Sequence, residues 1–162
     1  MKKTTTFALR VQTTLWTAIL AVLLPITLSG QTVSIGAGVS DPSPAANQQI
    51  TISLSIADAI DFYYGAIEVA YEPEVMEFLS LENTGLSSGG IQTTGEISDG
   101  VLGVSVSRTA PLSAPASGDF MLLHFRIHGT AYAGSTLVSF ANQEIFDSGG
   151  NEIVASPPPD LS

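Results

Sequence analysis

Two stretches of strict alternation restrict this chain more than any other feature. In residues 49–56, QITISLSI, the apolar Ile50, Ile52, Leu54 and Ile56 alternate with Thr51, Ser53 and Ser55. In residues 65–78, GAIEVAYEPEVMEF, Ile67, Val69 and Tyr71 alternate with Glu68 and Ala70. A period of two puts alternate side chains on opposite faces of an extended strand, so each stretch predicts a strand with one buried and one wet face. Glu72-Pro73 ends the second ladder, because proline has no N–H to donate and holds the preceding residue extended. Val75, Met76, Phe78 and Leu79 open a new apolar run directly after that corner.

The rest of the chain repeats this pattern. Strands are predicted over residues 32–37, 49–56, 63–71, 76–82, 91–97, 101–107, 120–128, 135–141 and 152–155. Between them lie turn-rich segments: SDPSPAAN at 40–47, a loop at 57–62 holding Asp58 and Asp61, Gly89-Gly90, the two-proline loop at 109–118, and DSGGN at 147–151. Ser98-Asp99-Gly100 reads as a hairpin turn, where Asp-Gly tolerates positive φ. In 101–107, Leu102, Val104 and Val106 share one face, and Val101, Gly103, Ser105 and Ser107 the other. In 120–128, Met121, Leu123, Phe125 and Ile127 share one face, and Phe120, Leu122, His124, Arg126 and His128 the other. In 135–141, Leu137 is expected inward, with Ser139 or Phe140. No helical pattern of any length competes. Nine short strands joined by Gly, Pro, Asn and Asp loops predict an all-β protein, a nine-stranded antiparallel β-sandwich with jelly-roll (Greek-key) connections.

The first 30 residues differ from the rest. Lys2, Lys3 and Arg10 precede an apolar run over 15–28, and small residues Ser29 and Gly30 follow. This is the layout of a secretory signal peptide, and the run falls short of the roughly 20 residues a membrane span needs. The domain is therefore expected over 31–155, with a proline-rich tail at 156–162, SPPPDLS, that has no core to join. Removal of residues 1–30 leaves two arginines, Arg108 and Arg126, against fifteen acids, a net charge of −13. That charge excludes nucleic acid as a partner, since phosphates would be repelled. No later segment is long or apolar enough to span a membrane. An exported chain without cysteine has no disulfides, thiol catalysis or thiolate metal sites, and must rest on core burial.

Candidate chemistry is sparse. No Gly-x-Ser-x-Gly elbow precedes a helix, and His124 and His128 lack an evident nucleophile. His124, Arg126 and His128 line one strand face, but four residues along a strand is roughly 13 Å, too far for one metal ion. DSGGNE at 147–152 lacks the regular acidic ladder of a calcium loop. Phe62, Tyr63 and Tyr64 offer an aromatic cluster that could stack on sugar rings.

The order of signals resembles the cohesin domain. Tyr71-Glu72-Pro73-Glu74-Val75-Met76-Glu77-Phe78 is similar to the cohesin Tyr-Asp-Pro corner followed by an apolar-Glu-Phe strand. Gly118-Asp119-Phe120-Met121-Leu122-Leu123-His124-Phe125-Arg126-Ile127 resembles its Gly-Asp-Gly strand ending in Phe-basic-Val. Ala133-Gly134-Ser135, Phe140-Ala141-Asn142, and Asp147, Gly150 and Ile153 match later positions of the pattern. The resemblance spans about residues 33–154. It implies a nine-stranded jelly roll, related in fold to carbohydrate-binding modules, that binds dockerin modules of polysaccharide-degrading enzymes outside the cell. It implies no cofactor of its own, since the essential calcium sites belong to the dockerin. In cohesins the outward face of the strand before the proline corner presents an Asn and an Asp to the partner. Here those places hold Tyr64 and Ala66, so the charge-assisted hydrogen bonds of that pair cannot form.

The expected partner-binding face is therefore Tyr64, Ala66, Glu68 and Ala70, with Tyr64 as an aromatic anchor. The expected function is secreted, non-enzymatic assembly of extracellular proteins through a dockerin-type partner. Carbohydrate binding on the same fold and a structural surface module are the alternatives.

Overall fold

A computed structural model describes residues 32–112, 114–129 and 136–162. Nine strands lie among them: β1 (Thr32–Val39), β2 (Gln49–Ala59), β3 (Phe62–Ala70), β4 (Met76–Asn83), β5 (Ile91–Ser98), β6 (Val101–Ser107), β7 (Ala116–Ile127), β8 (Ser139–Asp147) and β9 (Val154–Ser156). They form two sheets, ordered β4-β7-β2-β1-β9 and β5-β6-β3-β8. This is the predicted sandwich. Its strand pairs are antiparallel except the last, because β9 returns alongside β1 in the parallel sense, Thr32 opposite Val154.

The alternating stretches form the heart of the core. Ile50, Ile52, Leu54 and Ile56 of β2 and Ile67 and Val69 of β3 are all buried, from opposite sheets. Opposed apolar faces lose water only when the sheets stack, and this burial is the main favourable term in folding. Phe125 of β7 gathers the centre, its ring edge-on to Tyr71 at 5.2 Å and to Phe78 at 5.5 Å. The proline corner thus places Tyr71 and Phe78 on either side of one core aromatic.

Two glycines matter. Gly65 lies inward on β3, where a Cβ would come within 3.2–3.3 Å of Phe62, Ile145 and Phe120. Its missing side chain makes room for the edge-on Phe62–Phe120 pair, 5.4 Å between centroids. Gly100 has φ +73° in the predicted hairpin turn between β5 and β6, which favours glycine. Its carbonyl accepts the Tyr71 N–H at 2.8 Å, tying hairpin to corner.

Four expectations need correction. Residues 57–62 are not simply a loop: β2 runs on to Ala59 and β3 starts at Phe62. Both are fully buried, and Asp58 and Asp61 take the positive φ values of the bend. Phe120 is buried beside Met121, not opposite it. A register shift between Leu54 and Ser55, where β2 meets β7, turns both residues inward. The late strand is β8, further along than 135–141; Val138 and Phe140 face inward and Leu137 is 49% exposed. Residues 156–162 do join the core. Leu161 exchanges two backbone hydrogen bonds of 2.9 Å with Val138, Pro158 is buried, and Leu161 packs against the core. The expected signal segment and residues 130–135 lie outside the described residues.

Candidate functional site

Strand periodicity places Tyr64, Ala66, Glu68 and Ala70 on the outer face of the β5-β6-β3-β8 sheet, all half-buried. Pairing then assembles four rungs across the sheet. Tyr64 lies between Ser107 and Phe146, Ala66 between Ser105 and Glu144, Glu68 between Gly103 and Ala141, and Ala70 between Val101 and Ser139. On the far side of β6, Ile91 faces Ser107, Thr93 faces Ser105 and Gly95 faces Gly103.

The middle rungs carry small side chains, so the face sinks there into a shallow groove of about 300 Å³. Tyr64, Ala66 and Glu68 line it; Ala70 lies one rung beyond. Thr93, Ile97, Gly103, Ser105, Asn142 and Glu144 also line it. Ile97 leans over Gly103, whose added Cβ would meet it at 3.2 Å. Asn142 takes φ +48° at an irregularity in the β3–β8 register, and donates its side-chain amide to Glu68 at 2.7 Å. That bond fixes one carboxylate oxygen. Tyr64 packs on Phe146 with ring centroids 5.9 Å apart, which steadies the aromatic end of the groove. The four strands contain no Lys, Arg or His. The arrangement is thus an apolar, small-residue floor edged by two carboxylates, suited to a ligand that brings apolar groups and positive charge.

Sequence reading missed the contributors from neighbouring strands. The shared face of Gly103 and Ser105 was legible, but its alignment with β3 is a matter of pairing. Asn142 and Glu144 were hidden because β8 was placed too early.

The other candidate sites resolve into structural roles. Phe62 is fully buried against Phe120, so it is withdrawn from any sugar platform. His124 bridges Thr51 at 3.1 Å and Glu82 at 3.2 Å, Arg126 ion-pairs with Glu77, and the His128 Nε2 meets the Pro73 carbonyl at 3.0 Å. In the 147–152 loop, Asp147 accepts the Asn151 backbone N–H at 2.8 Å and its amide at 2.9 Å. These bonds hold the Asp147 carboxyl below the usual carboxylate range, the side-chain bond contributing most. Among the described residues no three His, Asp or Glu side chains gather in metal-binding geometry, and no helix is long and apolar enough to cross a membrane.

No protein-family model matches the sequence, and no curated protein matches it. Solved structures do. The chain is similar to a non-cellulosomal cohesin of the archaeon Archaeoglobus fulgidus, at TM-score 0.63 and 17% identity, covering 78% of this chain and 86% of that one. It is similar to the OlpA cohesin of Clostridium thermocellum solved in a cohesin–dockerin complex, at TM-score 0.68 and 13% identity, covering 80% and 96%. It is similar to a type II cohesin domain from the cellulosome of Acetivibrio cellulolyticus, at TM-score 0.65 and 16% identity, covering 80% and 94%. The fold is cohesin-like.

Proposed function

We propose that this chain is a secreted, non-catalytic assembly module. Its β5-β6-β3-β8 face docks a dockerin-type partner outside the cell, in complexes that process polysaccharides. The observation that carries the reading is the groove itself: Tyr64, Ala66 and Glu68 line an apolar floor on four strands without a single basic residue. The cohesin-like fold supports it, since cohesins of this fold are solved bound to dockerins. The usual Asn and Asp are replaced by Tyr64 and Ala66, and the Glu68–Asn142 pair supplies polar recognition one rung away. Tyr64 supplies aromatic area near the groove's end, as anchoring residues do in interfaces. Glu68 and Glu144 favour a partner whose contacting surface is basic.

Capture of secreted proteins from the source organism by the immobilised chain tests this, with and without a calcium chelator. The expected result is calcium-dependent capture of a dockerin-bearing protein, lost when Tyr64→Ala and Glu68→Gln are combined. Capture of nothing, or capture unchanged in the double variant, overturns the reading. Retention on insoluble polysaccharide without protein capture transfers the site to carbohydrate binding.

A further inference from the structure

Strand β5 is an open edge of the four-stranded sheet. Among the described residues it pairs only with β6, and all eight of its own residues are exposed. Ile91 is 67% and Ile97 58% exposed. Folded proteins blunt such edges with lysine, proline or several charges, because unpaired N–H and C=O groups template further pairing. IQTTGEIS has no lysine and no proline, and its one charge is Glu96. The register irregularity falls at its end, between Glu96 and Ser98, and leaves Ile91–Glu96 regular.

We propose that β5 joins two copies of this chain, antiparallel about a two-fold axis at Thr94, into one continuous eight-stranded sheet. A two-fold axis perpendicular to the sheet keeps every side chain on its own face, so facing positions differ by an even number. Two such registers overlap equally, centred on Thr94 or on Gly95, and only the first brings the isoleucines together: it sets Thr94 against Thr94 of the second copy, Thr93 against Gly95, Gln92 against Glu96 and Ile91 against Ile97. Each exposed isoleucine then meets the other, and cross-strand apolar pairs of this kind stabilise sheets. Each Glu96 meets a Gln92 amide in place of a carboxylate. Gln92 already accepts the Asn83 N–H through Oε1 at 3.1 Å, which leaves its NH₂ group to donate. The two Glu96 side chains are four residues apart along the strands, roughly 13 Å, beyond the Debye length of about 8 Å at physiological salt. The edge is therefore complementary to itself in shape and charge. A foreign strand added at the same edge is the competing occupant. The pairing goes beyond the docking reading and stands without it.

The chain has no cysteine, so Thr94→Cys introduces one thiol, placed on the axis. Facing Cβ atoms in an antiparallel pair lie about 4.5–5.5 Å apart, close to disulfide geometry. A thiol at Ser98→Cys would sit about 26 Å from its copy. The expected results are a concentration-dependent dimer of the full chain in sedimentation equilibrium, and mild oxidation that crosslinks Thr94→Cys at least tenfold faster than Ser98→Cys. Thr94→Lys, which sets two like charges on the axis, should weaken dimerisation at least tenfold without changing the thermal melt. Thr94 is exposed, so the variants keep the fold. A monomer at all concentrations overturns the proposal, as does equal crosslinking of the two thiols or a dimer indifferent to Thr94→Lys. A free monomer whose β5 edge captures a strand from another protein also overturns it.

Discussion

The two outer faces of the sandwich cover the same core and treat charge in opposite ways. On the five-stranded sheet, the arginine and the histidines are answered within the chain. His124 bridges Thr51 and Glu82, Arg126 pairs with Glu77, and His128 binds the Pro73 carbonyl. On the four-stranded sheet, Glu68 and Glu144 face outward beside Tyr64 and Ile97, and the strands supply no cation to meet them. A face that has satisfied its own charges has little to gain from a partner. A face that leaves carboxylates and apolar surface open gains from one that brings the missing cation. Under the proposed docking, one sheet supplies shape and the other recognition.

The severest challenge to this division is a core change that removes both faces together. Phe125→Ala deletes the ring shared by Tyr71 and Phe78, and should cost about 3–5 kcal/mol in chemical denaturation. If partner capture survived unfolding of this core, the faces would not depend on one fold. Next comes the recognition side alone. Tyr64→Ala should weaken partner binding about thirtyfold, roughly 2 kcal/mol, with stability shifted far less; calorimetric titration against a melt separates the two. The mirror experiment is Arg126→Ala. Its side chain and that of Glu77 are substantially exposed, so the melt should change by no more than about 0.2–1 kcal/mol, with capture untouched. A loss of capture from Arg126→Ala would blur the comparison.

The smallest effect concerns acid. The Asp147 carboxyl is held below its ordinary value by Asn151. A depressed folded pKa contributes stability above the unfolded value, near pH 4, that is lost as pH falls through the folded one. Asp147→Asn should therefore lower the neutral plateau slightly and flatten the acid limb below about pH 4, so that the two stability–pH profiles converge in acid.

The core was readable where periodicity ran uninterrupted. Ile50 to Ile56, Ile67, Val69 and the alternation of β6 were legible because period two, with one wet face, admits one solution. Legibility failed where the backbone broke that period. Asp58 and Asp61 adopt positive φ, so the bend carries the buried Ala59 and Phe62 without alternating. Asn142 does the same inside β8, and carried Glu144 and Asn142 out of view. Leu161, a lone apolar residue after three prolines, has no period at all; only its bonds to Val138 reveal it. For the candidate site, Tyr64, Ala66 and Glu68 followed from one strand's alternation. Thr93, Ile97, Ser105 and Glu144 depend on which strands become neighbours, and that is decided by packing across the whole domain.

The single parallel pair has a mechanical consequence. Thr32, Val33 and Ser34 at the start of β1 lie beside Val154, Ala155 and Ser156 of β9. Tension that pulls residue 32 one way along the strand axis and residue 156 the other slides these strands past each other. All the cross-strand bonds of the pair then bear load at once, instead of parting one after another as in a peeled hairpin. A module pulled from its two ends would load this short clasp once the Leu161–Val138 bridge beyond it had parted.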